Sequence, residues 1–301
     1  MLYVAQTALE LGFQYALVAM ALFLSYRVLD IADLTTDGCF VLGCAVSVTL
    51  TAAGHPFLAI PAAMLAGACA GFVTAFLQTK LGVPSILAGI VTNTGLYTVN
   101  LMAMGWKANQ SLLKQDTIFT LFRATGIGGD WNPILLSGGI TVLAGVLLVA
   151  FLGTRLGLSI RATGDNAAMV RASSINPAFT ITVGLCISGA LTALSGGLLA
   201  QYQGSATIDM GRGAIVIGLA AVIIGEVLLD KVFRNFALKL LSAVIGAIIY
   251  YVVITVVLRL GLESTDLKLL TALVVAVFLA VPYWKGRYFT KPVRKEGAPH
   301  A

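Results

Sequence analysis

The chain has 301 residues, 58% of them apolar and only 11% charged, with a mean hydropathy of +0.95. Soluble domains carry roughly 25% charged residues, so a water-soluble fold of this length would have to hide more apolar surface than its geometry allows. The net charge of +6 sits in short gaps between apolar blocks, which is the pattern of a membrane-orientation signal and not of a nucleic-acid-binding stripe.

In chain order, nine stretches are apolar enough to span a bilayer, which takes about 20 residues: 8–26, 38–54, 57–79, 81–106, 134–153, 178–200, 213–229, 240–258 and 269–284. Met1 is followed by neither a positive region nor a small-residue cleavage site, so the first block is expected to remain as a helix. With the basic tail 285–301 placed in the cytoplasm, thirteen of the 19 Lys and Arg residues fall inside and six outside. That bias predicts an N-out/C-in protein. The fold class is therefore an all-α, polytopic membrane helical bundle of about nine transmembrane helices, with one transmembrane domain over 1–284.

The first connection, Asp30-Ile-Ala-Asp-Leu-Thr-Thr-Asp-Gly38, holds Asp30, Asp33 and Asp37. It is either a broken membrane helix lining a cavity or a solvated internal loop. The third span contains Gly67-Ala-Cys-Ala-Gly71, and the sixth contains Gly184, Gly189, Gly196 and Gly197. Small residues of this kind let membrane helices approach closely. Asn93, Thr94, Tyr97 and Asn100 gather on one face of the fourth span. Facing lipid they would be costly, so they are expected to face a solute pathway or to hydrogen-bond a neighbouring helix. The external segment 107–132 has a mildly amphipathic part, 111–122, suited to lie along the membrane surface. Glu226 is expected at the cytoplasmic end of its span.

The longest internal loop, 155–177, reads Arg161-Ala-Thr-Gly-Asp-Asn-Ala-Ala-Met-Val-Arg-Ala-Ser-Ser-Ile-Asn-Pro177 at its core. Residues 167–172 favour a short helix, and Asn176-Pro177 breaks the chain and begins the next span. Cys39, Cys44, Cys69 and Cys186 lie within apolar stretches without CxxC spacing, and the histidines are His55 and His300. Neither set makes a metal site. With no GxSxG, HExxH or GxxxxGK[ST], the sequence offers no catalytic residue and no cofactor site of its own.

This loop, with Arg161, Gly164, Asp165, Asn166, Val170, Arg171, Ile175 and Asn176, resembles the cytoplasmic loop of ABC importer permeases of the branched-chain amino acid and ribose family. Ser174 stands where that family often has glycine. The segments 30–38 and 220–225 resemble two further stretches of the family, and the likeness runs over about 8–282. Within the family the chain is most similar to the tryptophan or tyrosine importers. The resemblance implies a coupling helix gripped by separate ATPase subunits that bind ATP and Mg, and an extracytoplasmic binding protein. It also implies a second permease copy, a bacterial inner-membrane location and a small solute such as an aromatic amino acid. The competing reading is an ion-gradient-driven secondary transporter, which would show inverted repeats and a charge at mid-membrane. The firm spans are uncharged at their middles, and no repeat is evident.

Overall fold

The computed structural model describes residues 2–113, 115–124, 126, 129–229, 236–259, 269, 272–273, 275–277 and 280. Two long helices form its axis. Helix α1 (Leu2–Leu22) continues through a π-helical turn (Phe23–Val28), and α9 (Pro177–Gln203) lies against it. They run antiparallel: Ser195 Oγ donates to Gln14 O at 2.7 Å and Ser188 Oγ to Ala21 O at 3.1 Å. Residues 16–24 of α1 are almost completely shielded, because α9, α10 and α11 pack around them.

The glycines explain how the other helices approach α9. Helix α3 (Pro56–Thr79) crosses it backbone to backbone: a Cβ on Gly67 would strike the Gly189 carbonyl, and one on Gly71 the Leu185 carbonyl. Helix α2 (Thr36–Ala52) crosses nearby, with Gly43 against the Ala193 carbonyl and Gly196 against that of Phe40. Ser47 Oγ donates to Gly197 O at 3.0 Å and Cys44 Sγ to Gly196 O at 3.2 Å, so buried polar atoms join the two helices. Helices α10 (Ala214–Leu229) and α11 (Phe236–Arg259) repeat the device at Gly225 and Gly246. Helices α4 (Ser85–Ala103) and α6 (Asn132–Leu152) lie at the periphery with long apolar exposed faces, as lipid-facing helices do.

Eight of the nine expected spans coincide with these helices, while most of 269–284 and all of 285–301 lie outside the described residues. Among the described residues, six helices are long and apolar enough to cross a membrane. The fourth begins at Ser85 rather than 81, because Gly82 turns at φ +69° and Pro84 precedes the first turn. Helices α2 and α10 have only 17 and 16 residues. At 1.5 Å per residue they reach about 26 and 24 Å, short of a hydrocarbon core of about 30 Å.

Strand β1 (Asn109–Ser111) pairs antiparallel with β2 (Ser205–Thr207), a small ribbon the apolar pattern does not reveal. Gly204, at φ +66°, turns the chain out of α9 and exposes the edge that β1 joins. Helix α5 (Ile118–Ala124) follows, held where Gln201 Oε1 accepts from Ile118 N at 3.0 Å.

Candidate functional site: a capped elbow and a cavity between broken helices

At one end of the bundle the chain leaves α6 and turns through two short helices. Thr154 caps α7 (Arg155–Asp165), its hydroxyl accepting from Gly157 N at 3.3 Å. Asn166 closes α7 and caps α8 (Ala167–Ala172), with Oδ1 accepting from Ala168 N and Met169 N at 3.0 and 3.1 Å. Asn176 caps α9 by accepting from Ala178 N at 3.0 Å. Three side-chain caps in 23 residues make this elbow stiff. Replacing Asn176 with alanine should lower the melting temperature of the purified protein by the loss of about 1 kcal/mol, which a thermal-shift measurement would read.

The loop residues singled out from sequence divide into two groups. Gly164 is wedged against the Val28 carbonyl, where no side chain fits. Val170 is buried and accepts from Ile175 N at 3.2 Å. Arg161 lies 4.2 Å from the centre of the Phe236 ring and so ties the elbow to α11. These three anchor the elbow. Asp165, Asn166, Arg171, Ile175 and Asn176 are exposed, and Met169, at 69% exposure, is the apolar tip of α8. Sequence reasoning passed over Met169. Ser174 adopts φ +62°, a left-handed conformation that glycine takes without strain. On the same side, Arg27 Nε meets Glu226 Oε1 at 2.8 Å.

The second region lies near the middle of the bundle. Helix α10 runs parallel to α1, with Gly218 beside Val18 and Leu22, and Glu226 beside Arg27. Its first residue, Ala214, is therefore level with the centre of the span Ala5–Val28. Helix α2 also starts there, its Phe40 stacked on Tyr15 with ring centres 5.5 Å apart. The two short helices meet end to end. Asp37, in the first turn of α2, accepts from Gly213 N at 3.2 Å and Ile215 N at 2.9 Å, and so caps α10 across the junction. The chain reaches this level through non-helical, largely buried residues 29–35, part of whose backbone is satisfied internally. Leu29 N and Ile31 N reach back to Leu24 O and Ser25 O, and Thr35 N to Asp33 Oδ1. Irregular backbone at membrane depth is tolerated under these conditions.

A cavity of about 310 Å³ opens beside the junction, lined by Asp37, Gly38, Val41, Asn93, Thr94, Tyr97, Asn100, Ile208, Gly211 and Arg212. Four of the six residues proposed for a pathway thus come together. Asp33 does not line it: it is buried and bound to the Thr35 hydroxyl, fixing the break in the chain. Asp30 does not line it either; it is exposed, with φ +54°. Ile208, Gly211 and Arg212 were not foreseen. Their signal was a likeness of punctuation: a polar run ending in glycine leads into each of the short apolar blocks 38–54 and 213–229.

Apolar helices around a polar cavity at mid-depth, with a capped helical elbow at one end, define a multi-pass membrane transport subunit. The family described as branched-chain amino acid transport system, permease component, matches residues 5–281. A tyrosine transport system permease protein of Clostridioides difficile (strain R20291) is 36% identical over 266 residues, 88% of this chain and 86% of that protein. An uncharacterized protein of Rickettsia prowazekii (strain Madrid E) is 33% identical over 277 residues, 91% and 96% of the two lengths. The fold is also similar to an ABC transporter of metal-chelate type solved in an inward-facing conformation, with a TM-score of 0.51 and 18% identity over 94% of this chain and 85% of that one. The chain belongs to the branched-chain amino acid-type family of ABC transporter permeases.

Proposed function

We propose that this permease is the membrane-spanning half of an ATP-driven importer, carrying a small amino acid, aromatic in the first instance, into a bacterial cell across the inner membrane. An extracytoplasmic binding protein delivers the solute, and separate ATPase subunits, which bind ATP and Mg, grip the elbow 155–177. Two copies of the chain enclose the pathway, because each contributes one elbow to a two-fold motor. Nine spans, N-out and C-in, place the elbow in the cytoplasm, in keeping with the bias of Lys and Arg. The amino acid reading is supported by the relative from Clostridioides difficile, whose name is that of a tyrosine transport permease.

The observation that carries this reading is the stiff elbow with an apolar tip. Its caps hold α8 as a rigid body, and Gly164, Arg161 and Val170 fasten it to α1, α11 and its own turn. A push on Met169 would therefore pass to several helices at once, as coupling between a motor and a bundle requires. Met169→Glu places a charge on an exposed site, so the protein should fold normally. Co-purification of the ATPase should be lost and uptake should fall at least about tenfold. Normal uptake by Met169→Glu, or uptake abolished by collapsing the ion gradient with ATP intact, would reject the proposal in favour of a secondary transporter.

A further inference from the structure

The cavity between the broken helices has a polarity that the transport reading does not by itself assign. We propose that it is a zwitterion site: the ammonium of an α-amino acid donates to Asn100 Oδ1 and the Asp37 carboxylate, while the amino acid's carboxylate meets the Arg212 guanidinium at the rim. The assignment rests on the permease reading and specifies what passes through it.

Asn100 is the first ground. It is 2% exposed and its amide orientation is fixed, because Nδ2 donates to Gly38 O at 3.2 Å. Its Oδ1 is buried with no hydrogen-bond partner among the described residues, although the side chain lines the cavity. An orphaned buried acceptor is costly and calls for a donor.

Asp37 is the second. Two helices present their positive N-terminal ends at this junction, and such ends ordinarily favour anions. Here the Asp37 carboxylate already takes the first amides of α10, which balances that charge and leaves its remaining lone pairs beside the cavity. Asn100 Oδ1 and Asp37 together make the inner end a site for a donor-rich cation such as an ammonium, which has three N–H donors.

The counter-charge is Arg212. Its Nη2 meets Asp209 at 2.9 Å, and both side chains are largely exposed, at 69% and 61%. An exposed ion pair of this kind is weak, so a bidentate carboxylate can replace Asp209 at little cost. The cavity, at about 310 Å³, is at the lower bound of small-molecule sites, roughly 300–1,000 Å³. Tyr97, half exposed at its wall, offers a ring to an apolar or aromatic side chain.

The test uses the full-length permease in lipid nanodiscs, without ATPase or binding protein, and three probes: tyrosine, tyramine and 4-hydroxyphenylpropionate. Tyramine lacks the carboxylate, and 4-hydroxyphenylpropionate lacks the ammonium. Tyrosine should bind at least about tenfold more tightly than either analogue. Arg212→Gln should weaken tyrosine by about tenfold and leave tyramine unchanged. Asn100→Leu should weaken tyrosine and tyramine but not 4-hydroxyphenylpropionate. Should Asn100→Leu fail to fold, Arg212→Gln alone decides, since its side chain is exposed. Equal binding of the three probes, no binding of any, or undiminished tyrosine binding by Arg212→Gln would overturn the proposal. The permease reading is judged separately by ATPase retention at Met169, so the two failures are distinguishable.

Discussion

Asp37→Ala is expected to be among the most damaging single substitutions in the cavity. It removes a side-chain cap of α10 and leaves Gly213 N and Ile215 N without the acceptor they now share. Only water held in the cavity could then take its place, and each amide left orphaned costs roughly 1–3 kcal/mol. The purified variant should melt several degrees lower, and uptake should fall at least about tenfold, since the ends of α2 and α10 would no longer be tied together. Asp37→Asn retains one carbonyl acceptor in place of two carboxylate oxygens, so its stability should lie between wild type and Asp37→Ala. A thermal melt in detergent paired with an uptake assay checks both. Wild-type stability in Asp37→Ala would mean that the junction is held by other contacts.

The sequence was legible where physics is local. Apolar length located eight of the helices, and the α8 segment and the Asn176-Pro177 start of α9 fall where helix propensity and proline geometry put them. The cavity-lining set on α4 was legible for a similar reason: Asn93, Tyr97 and Asn100 share a face, and polar groups on a membrane helix need partners. What lay beyond reach was set by long-range contact. Nothing near Asp37 in the chain says that it meets Gly213 and Ile215, 176 and 178 residues away. For the same reason Arg212 reads as an ordinary external arginine until the descending segment 208–213 is seen beside α2 and α4. Nor does anything near Arg161 announce the Phe236 ring, 75 positions along the chain, over which its guanidinium lies.

Gly189→Leu should have the largest effect of all on assembly. Its backbone touches that of Gly67, and a Cβ there would meet the Gly67 carbonyl well inside contact distance. Overpacking usually costs about 1–3 kcal/mol when neighbouring side chains can yield. Here the neighbour is main chain on a second helix, so α3 and α9 would have to separate, and the monodisperse fraction on size exclusion should collapse. Gly139 is the control. It sits in α6 with open space around it, and Gly139→Ala should leave that fraction intact or improve it slightly through helix propensity. A monodisperse, wild-type-like Gly189→Leu would show that this crossing is looser than drawn.

That crossing also limits where the protein can flex. A seam of bare main chain has no rotamers to exchange, so α3, α9 and the adjoining part of α2 should travel as one plate through any transport cycle. Rearrangement is left to contacts mediated by mobile side chains. Helix α6 is the first of these: it meets α1 through the Phe13 ring beside Gly138, the Met20 sulfur beside Gly145 and one hydroxyl bond, from Thr141 to Phe13 O at 2.8 Å, and a thioether, a ring edge and a single hydroxyl can shift where two carbonyls cannot.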